Sequence, residues 1–467
     1  MELRTIGSVT NLLQQFREEV YQNFNNYKRT DTLMDLVDAL SSNTTAKSVV
    51  ELTSNPQFQR TYTALNKAIA VECLSDKQIA RLAAKTIEPP QTRKFYLIGA
   101  DVTSSPRPYA ETLPDRSFVY QPNTIKGNKP IAIGHQYSFV AALPERDKTK
   151  IGPWVIPLAM QRVGSQANKE LIGAEQVKSL LEDDKLPFGK ALCVEVEDSA
   201  YSKPAFLNFN RDKPNLVTIT RARGTRTFYH EPASDVDEEN GKGHPTWYGK
   251  PFCLKDSETW DEPDEVAETT FTSQRKITYR IEIQAWENLL MHGKQNIPMH
   301  KHAFTLVKIR WYDPNGKALF AKPLWLIVMG DRRVELSILN IYQSYLQRYD
   351  LEHFFRFGKQ KLLLNKFQTP DDKHEENWWQ LVALAYLQLW AAKDLVSQLP
   401  RPWERYLPSV LNKLVTPAAA QRAMSRIIRQ IGTPSPAPKP RGKSPGRPKG
   451  MVLTPRKRLA VVKKAKT

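Results

Sequence analysis

Apolar residues recur at every third or fourth position along the first part of the chain. Leu13, Phe16 and Val20 share this spacing, and similar runs continue until the adjacent prolines Pro89 and Pro90. A repeat near 3.6 residues places such side chains on one face of an amphipathic helix. We therefore predict several short helices before the proline break.

The spacing of apolar residues becomes strand-like after this break. Compact apolar runs occur at residues 95–100, 131–140, 154–163, 191–196 and 216–220. Between the third and fourth runs, residues 168–182 have the spacing of a helix. Strands followed by an alternation of strand and helix are typical of an α/β layer fold, so we predict a mixed sheet.

Residues 224–322 are rich in predicted strands. Alternating patterns predict strands at residues 276–283, 304–311 and 318–329, and the last two flank a hairpin turn at residues 313–316. We therefore predict that this part of the chain forms a β-rich insertion.

Two acidic stretches interrupt the β-rich part. They cover residues 234–239 and 256–268, and we predict that both form solvated loops. Beyond the last strand, helical spacing returns and predicts helices at residues 345–359, 378–399 and 418–431.

The composition of the 467 residues adds a strong positive charge to this picture. The formal net charge is +19 and the isoelectric point is near 9.6. This balance favours a polyanionic partner, either nucleic acid or an anionic membrane surface. No apolar run is long enough to span a bilayer, so we expect a soluble intracellular protein that binds nucleic acid.

The cysteines argue against two structural features, a disulfide scaffold and a cysteine-rich zinc site. Cys73, Cys193 and Cys253 are far apart and include no Cys-x-x-Cys pair. Their number and spacing argue against a disulfide scaffold and against a cysteine-rich zinc site, and they fit a reducing compartment.

The final segment, residues 432–467, is rich in Pro, Gly, Lys and Arg and contains no Asp or Glu. This composition predicts disorder in the free chain. Residues 444–450 resemble the core of an AT-hook, in which Arg447 and Lys449 would contact a narrow minor groove. A plain polybasic tail is the alternative interpretation.

Three carboxylates stand at positions that suit a metal site. Asp101 follows the first apolar strand, Asp198 follows the fourth, and Glu352 lies on a predicted helix after the sheet. Carboxylates at strand ends are costly to bury unless paired or bound to metal, and such hard oxygen ligands suit Mg²⁺ or Mn²⁺. Glu195 and Glu197 compete with Asp198 as the second ligand.

The helix that carries Glu352 also carries two cations and a phenol. Tyr345, Arg348, Glu352 and Lys359 are separated by three, four and seven residues, so a continuous helix would align them on one face. A carboxylate flanked by cations suits phosphoryl transfer on a polyanion, since the cations can hold phosphates while the carboxylate binds metal.

The chain resembles the DDE transposases of bacterial insertion sequences, including transposase-like reading frames common in cyanobacteria. The signature Tyr-x-x-Arg-x-x-x-Glu-x-x-x-x-x-x-Lys matches at Tyr345, Arg348, Glu352 and Lys359, and the resemblance covers about residues 95–364. It implies a ribonuclease-H-like mixed sheet with a β-rich insertion, an N-terminal helical domain and a disordered basic tail.

The resemblance implies a reaction and its partners. Asp101, Asp198 and Glu352 would bind two Mg²⁺ or Mn²⁺ ions for cleavage at transposon ends and strand transfer into target DNA. The partners would be double-stranded DNA, as terminal inverted repeats and target, and a second copy forming a homodimer on the DNA. No membrane partner is implied, and the location would be the bacterial cytoplasm, at the nucleoid.

The same resemblance assigns DNA contacts. Tyr345, Arg348 and Lys359 would contact phosphates at the transposon end. In relatives, the β-rich insertion can supply an aromatic that stacks on an extruded base. Trp286 and Trp311 are candidates for that role or are ordinary residues of the sheet core.

Two more residues and the overall activity have alternative interpretations. His135 either faces the active site or is a core histidine, and Arg221 either lines a DNA groove or lies on a charged edge. The whole chain could also be a domesticated DNA-binding protein, or a nuclease that cleaves without strand transfer.

These features together predict five ranges. Their roles are a helical domain for DNA or dimer contacts, two parts of the catalytic core around an insertion, and the basic tail. In chain order they are residues 1–90, 91–223, 224–322, 323–431 and 432–467.

Overall fold

The computed structural model divides the chain into two compact units. The first unit contains residues 1–88, 102–169 and 350–467, and the second contains residues 89–101 and 170–349. The five predicted domain ranges stay predictions. The residues that the structure describes are 6–25, 28–71, 73–121, 129–145, 152–232, 247–398, 415–440, 446 and 448–464.

The helices predicted before Pro89 are present, and others follow the sheet. The α-helices among the described residues are α1 (Ile6–Asn23), α2 (Thr30–Ser41), α3 (Val49–Leu52), α4 (Tyr62–Ile69), α5 (Asp76–Ala84), α6 (Lys169–Glu182), α7 (Pro204–Arg211), α8 (Ile338–Gln347), α9 (Tyr349–Lys361), α10 (Asp372–Ala391), α11 (Lys393–Gln398) and α12 (Pro417–Ile431). No described helix is long and apolar enough to cross a membrane.

Local chemistry sets several helix ends. Ser75 and Gln78 form a reciprocal capping box at the start of α5, which satisfies two backbone amides. Thr416 caps α12, whose first residue is Pro417, and the helix ends before Gly432 at φ +79. Proline fits the first helical position and glycine fits a positive φ after the last, so these bounds follow from the sequence.

Helix α10 lies at the centre of the helices in the first unit. Nearly every residue from Trp378 to Ala391 is buried, so this helix must be covered on all sides. Helices α1, α2, α4, α5 and α12 contact it. The buried amide of Gln388 donates to Asp38 Oδ1 at 2.8 Å and to Ser41 Oγ at 2.9 Å on α2.

The strands are β1 (Tyr96–Pro106), β2 (Ser117–Tyr120), β3 (Ile131–Ala142), β4 (Ile156–Val163), β5 (Cys193–Glu197), β6 (Leu216–Ala222), β7 (Thr227–Tyr229), β8 (Pro251–Cys253), β9 (Glu265–Thr272), β10 (Thr278–Leu289), β11 (Phe304–Tyr312) and β12 (Leu324–Met329). Ten of them form one sheet in the order β2-β3-β1-β5-β6-β12-β11-β10-β9, with β4 also beside β3, while β7 and β8 pair separately. Strand β1 begins in the second unit and ends in the first.

The sheet of the second unit joins parallel and antiparallel strands. Strands β1, β5 and β6 are parallel neighbours, and β6, β12, β11, β10 and β9 continue in antiparallel pairs. The first five residues of each parallel strand are all buried, as expected for strands covered on both faces. The predicted mixed α/β fold is therefore confirmed.

The strands of the first unit pair closely around one glycine. Strand β3 is antiparallel to β2, with Gly134 opposite Ser117, and antiparallel to β4. A Cβ at Gly134 would collide with backbone atoms of Ser105 and Arg107, so the approach of β3 to the end of β1 requires glycine.

Two of the local features described here differ from the sequence prediction, and a third prediction is not tested. Residues 265–268, predicted as a solvated loop, begin strand β9. This strand is largely exposed and has no clear apolar face. Short strand β2 was not predicted. The acidic residues 234–239 lie outside the described residues.

The predicted helix over residues 345–359 is divided in two. Helix α8 ends at Gln347 and α9 begins at Tyr349, with Arg348 between them. The Arg348 amide donates to the Tyr345 carbonyl at 3.2 Å, which is the tighter i to i−3 pattern. The four signature residues therefore do not share one uninterrupted helix.

Candidate active site

Asp101 and Asp198 lie at matching heights on neighbouring strands of the second unit. The parallel register of β1 and β5 pairs Gly99 with Val196. Two residues beyond this pair, the chain reaches Asp101 on one strand and Asp198 after the other. Both carboxylates are partly exposed. Asp101 and Asp198 therefore lie side by side. Asp198 directly follows the end of β5, but Asp101 lies within β1, which continues to Pro106 and does not end at Asp101 as predicted.

Asp198 is held by the turn that follows β5. Its Oδ1 accepts a hydrogen bond from the Ala200 amide at 2.7 Å. Asx turns of this kind fix an aspartate side chain relative to its own backbone. The local sequence Asp198-Ser199-Ala200 thus orients one of the two carboxylates without help from another element.

The charges of these aspartates affect buried neighbours. Burial raises the pKa of Glu197 well above its usual range, and Glu195, Asp101 and Asp198 raise it further. Burial, and then the charges of Glu197, Asp101 and Asp198, also raise the pKa of Tyr201. The end of β5 is therefore a region of strong negative potential.

Glu197 is one of the two acids that compete with Asp198 for the role of second metal ligand. Its side chain is fully buried, and its carboxyl group lies within hydrogen-bonding reach of that of Glu195. Glu195, two residues earlier, accepts a hydrogen bond from Asn210 Nδ2 at 2.5 Å. Glu197 is thus a buried acid beside the candidate site. In the sequence, its position directly after the predicted strand at residues 191–196 indicated that it could be buried.

Two signature residues approach these aspartates within the second unit. Arg348 Nη1 lies 3.8 Å from Asp101 Oδ2, and its guanidinium lies 5.8 Å from the Tyr345 ring centre. Burial raises the pKa of the nearly buried Tyr345, while the charges of Arg348 and Arg221 lower it and Asp198 raises it. Arg221 itself is exposed. Of the predicted phosphate contacts, Arg348 therefore lies close to Asp101, and Tyr345 is close enough to Asp198 for that charge to affect its phenol.

The other two signature residues lie on α9 in the first unit. Glu352 and Lys359 are both half-buried. Lys359 Nζ donates to Thr103 Oγ1 at 2.7 Å, and Thr103 belongs to the part of β1 in the same unit. The convergence of Glu352 with Asp101 and Asp198 stays a prediction.

The donor set suits a divalent cation in its chemistry. Aspartate oxygens are hard ligands for Mg²⁺ or Mn²⁺, and a cation at the end of β5 would offset the negative potential that acts on Glu197. Among the described residues, no three His, Cys, Asp or Glu side chains are already grouped to hold a metal ion. Asp101 and Asp198 thus supply part of such a site.

His135 is a core histidine, the second of its two interpretations. It is almost fully buried, with Nδ1 at 2.6 Å from Glu375 Oε2 and Nε2 at 2.8 Å from the Pro114 carbonyl oxygen. Trp286 is likewise a core residue, packed against Phe252 and Trp325. Neither residue belongs to the candidate site.

The remaining predicted DNA contacts are only partly described. Arg447 lies outside the described residues. Lys449 is exposed, and Trp311 is partly exposed on β11 with its ring 5.6 Å from that of Phe271. Their roles on DNA stay predictions.

A mixed sheet in which Asp101, within β1, lies beside Asp198, just after the parallel strand β5, agrees with a core of the ribonuclease-H-like class. The family described as DDE superfamily endonuclease matches residues 19–289, more than half of the chain, and the chain therefore belongs to this family. The matched range includes Asp101 and Asp198 and ends before Glu352. Comparison with curated proteins gives no match.

Family membership confirms the DDE part of the predicted resemblance and indicates a nucleic-acid-cleaving enzyme, while the insertion-sequence type and the cyanobacterial likeness stay predictions. Endonucleases of this superfamily cleave nucleic acid and typically depend on divalent metal ions. The chemistry of Asp101 and Asp198 agrees with that dependence.

Proposed function

We propose that the protein is a DNA transposase that cleaves transposon ends and transfers the cut strand into target DNA. The observation that carries the proposal is the register of β1 and β5, which places Asp101 beside Asp198 in a chain of the DDE endonuclease family. The match of the Tyr-Arg-Glu-Lys signature at its full spacing supports the transposase type within that family.

Asp101, Asp198 and Glu352 are the proposed metal-holding residues. Two bound Mg²⁺ or Mn²⁺ ions would activate the attacking oxygen and stabilise the leaving oxygen in an in-line displacement. The carboxylates orient the site, and their own charges repel a phosphodiester until a cation is held between them.

Arg348 and Tyr345 are the proposed contacts to the scissile-strand phosphates. In the free protein Arg348 faces Asp101 at 3.8 Å. A guanidinium binds phosphate oxygens well in paired hydrogen bonds, so Arg348 can exchange the carboxylate for a phosphate when DNA enters. Lys359, on α9, would supply a further cation for the phosphate backbone of the DNA.

The proposed partners are double-stranded DNA and a second copy of the chain. Duplex DNA fits the net charge of +19, and a polyanion of that kind would be steered to the protein electrostatically. A homodimer would let two transposon ends be processed together. The proposed location is the bacterial cytoplasm, at the nucleoid.

Glu352→Gln is expected to retain DNA binding and to lose cleavage. The substitution keeps the size of the side chain but removes a charge that the proposed metal site needs. Labelled duplexes carrying the terminal inverted repeats, incubated with Mg²⁺, would reveal nicked and joined products on a denaturing gel. Glu335→Gln, an exposed acid whose charge lies outside the site, is the matched control.

The products also separate the alternatives. Cleavage by Glu352→Gln at the wild-type rate would contradict the proposed role of Glu352. Cut ends without joined product would make the protein a nuclease, and binding without any cut would make it a domesticated DNA-binding protein.

Removal of residues 432–467 is expected to flatten the dependence of DNA affinity on salt. Each neutralised phosphate releases counterions, so the slope of log K against log salt falls as cationic contacts are lost. The measurement is a fluorescence-anisotropy titration of one duplex at several salt concentrations. An unchanged slope would mean that the tail does not contact DNA.

A further inference from the structure

The described part of the C-terminal tail is attached to the first unit at its beginning. Arg17 donates to the Gly432 carbonyl, and Thr433 Oγ1 donates to Asp38 Oδ2 at 3.1 Å. Ser435 Oγ donates to the Asp31 carbonyl at 3.2 Å, and its side chain is buried. Arg60 also donates to the Pro436 carbonyl at 3.0 Å. Residues 432–436 are therefore fixed against α1 and α2.

The same tail is attached again near its end, at the edge of strand β2. Val462 forms a parallel bridge with Ser117, and its amide donates to the Arg116 carbonyl at 2.7 Å. The Leu459 amide donates to the Glu111 carbonyl at 2.8 Å. These are backbone hydrogen bonds of the kind that add a strand to a sheet.

Side chains strengthen the second attachment. Arg116, which is buried, donates to the Leu459 carbonyl at 3.3 Å, and Arg458 pairs with Glu111 at 3.0 Å. Gln166 donates to the Lys463 carbonyl at 3.3 Å. The contacts come from separate parts of the first unit, so they hold the segment in one register.

Strand β2 has an edge at which a further segment of chain can pair. It is the terminal strand of the sheet, with β3 on one side only. An open edge leaves backbone amides and carbonyls unpaired and invites association with another chain. Val462 covers part of that edge, and Leu459 contacts Glu111 and Arg116 in the chain that precedes β2. We name residues 456–464 the anchor strand.

The sequence between the two attachments is basic, and the residues of it that the structure describes are exposed. Residues 437–455 contain Lys and Arg but no Asp or Glu. Lys439 and Lys449 are exposed, as are the apolar side chains of Met451 and Val452. A segment that carries only positive side-chain charge suits the phosphate backbone of a duplex.

We infer that the anchor strand converts the basic tail from a free end into a loop held at both ends, which grips duplex DNA. The DNA part of this inference rests on the proposed function. A loop fixed at both ends loses less conformational entropy on binding than a free tail of the same charge. The anchor strand would therefore raise affinity without adding a phosphate contact.

A disulfide tests the attachment without DNA. Bridged neighbours on adjacent strands lie within the Cα separation that a disulfide needs, so Ser117→Cys with Val462→Cys is expected to cross-link within one chain after mild oxidation. Ser117→Cys with Val452→Cys is the control, since Val452 is 87% exposed. Non-reducing electrophoresis and peptide mass spectrometry identify the product.

The outcome decides between three arrangements. A link within one chain in the first pair alone supports the anchor strand. Equal linking in both pairs would mean that the tail is free, and a link only between chains would mean that the segment docks on a second copy. Either of these last two results overturns the inference.

Val462→Pro tests the effect on DNA while every charge is kept. Proline removes the amide that donates to Arg116, and Ala460→Pro is the control at an exposed position. Anisotropy titrations of one duplex are expected to give a Kd about 3- to 10-fold higher for Val462→Pro, with the same salt slope as wild type. Equal affinities for the two variants would overturn the loop, and a cleavage assay run in parallel reports separately on the proposed function.

Discussion

Asp198→Asn is expected to reduce DNA cleavage by at least about 10³-fold while leaving the fold intact. Asparagine keeps an oxygen that can accept the Ala200 amide, so the turn after β5 survives. It removes one of the two negative charges that the register of β1 and β5 places side by side. Metal stabilisation of the transition state is worth several kcal/mol, which corresponds to a loss of that size.

The same substitution separates metal binding from activity. Without divalent ions, the melting temperature of Asp198→Asn should equal or exceed that of wild type. The variant removes the negative charge of Asp198, which lies beside Asp101 and acts on the buried Glu197. Added Mg²⁺ should raise the melting temperature of wild type and not that of the variant, since only a binding-competent native state is stabilised by ligand. Differential scanning fluorimetry with and without EDTA measures both effects.

Glu265→Gln is the matched control for these measurements. Glu265 is an exposed acid on β9, in the same unit as Asp198. Its loss of charge should change neither cleavage nor the response to Mg²⁺. If Asp198→Asn responded to Mg²⁺ as strongly as wild type, Asp198 would not be a metal-holding residue.

The order of helices and strands could be predicted because the spacing of apolar residues within each element indicates its type. The change from helical to strand-like spacing at Pro89 and Pro90 located the first strand. Asp101 and Asp198 could be chosen because each one ends an apolar run. Their adjacency depends on the parallel pairing of β1 with β5, which the order of strands and helices made the expected arrangement.

Features that depend on distant partners could not be predicted in the same way. Strand β9 is largely exposed, so its sequence lacks the apolar alternation that indicates a strand. The anchor strand has no strand-like pattern that distinguishes it from the rest of the tail. Its position is set by the open edge of β2, and only the three-dimensional structure places Val462 beside Ser117.

The largest effect on stability is expected at Glu375, a residue that the sequence did not single out. Its side chain and that of Arg107 are both fully buried and form an ion pair at 2.8 Å. Ser105 Oγ donates to Glu375 Oε1 at 3.0 Å, and His135 Nδ1 lies 2.6 Å from Oε2. The carboxylate thus joins β1, β3 and α10 within the first unit.

Glu375→Ala is expected to lower the free energy of unfolding by about 3–5 kcal/mol. Removing one partner of a buried ion pair leaves the other charge uncompensated, and that cost dominates the change. Glu376→Ala, at the next position of α10, is the control. Glu376 is 25% exposed and pairs with Arg162 and Lys373, so its loss should cost about 1 kcal/mol or less.

The penalty should also depend on pH in a defined direction. Burial alone would raise the pKa of Glu375, but the hydrogen bond from His135 and the charge of Arg107 lower it below the usual value of 4.5. A carboxyl whose pKa is lower in the folded state stabilises the protein above its unfolded pKa, and this contribution is lost as pH falls through the folded pKa. Urea unfolding of wild type and Glu375→Gln should therefore differ most at neutral pH and converge below about pH 4. A difference that grew on acidification would mean that Glu375 is not held as a carboxylate by Arg107 and His135.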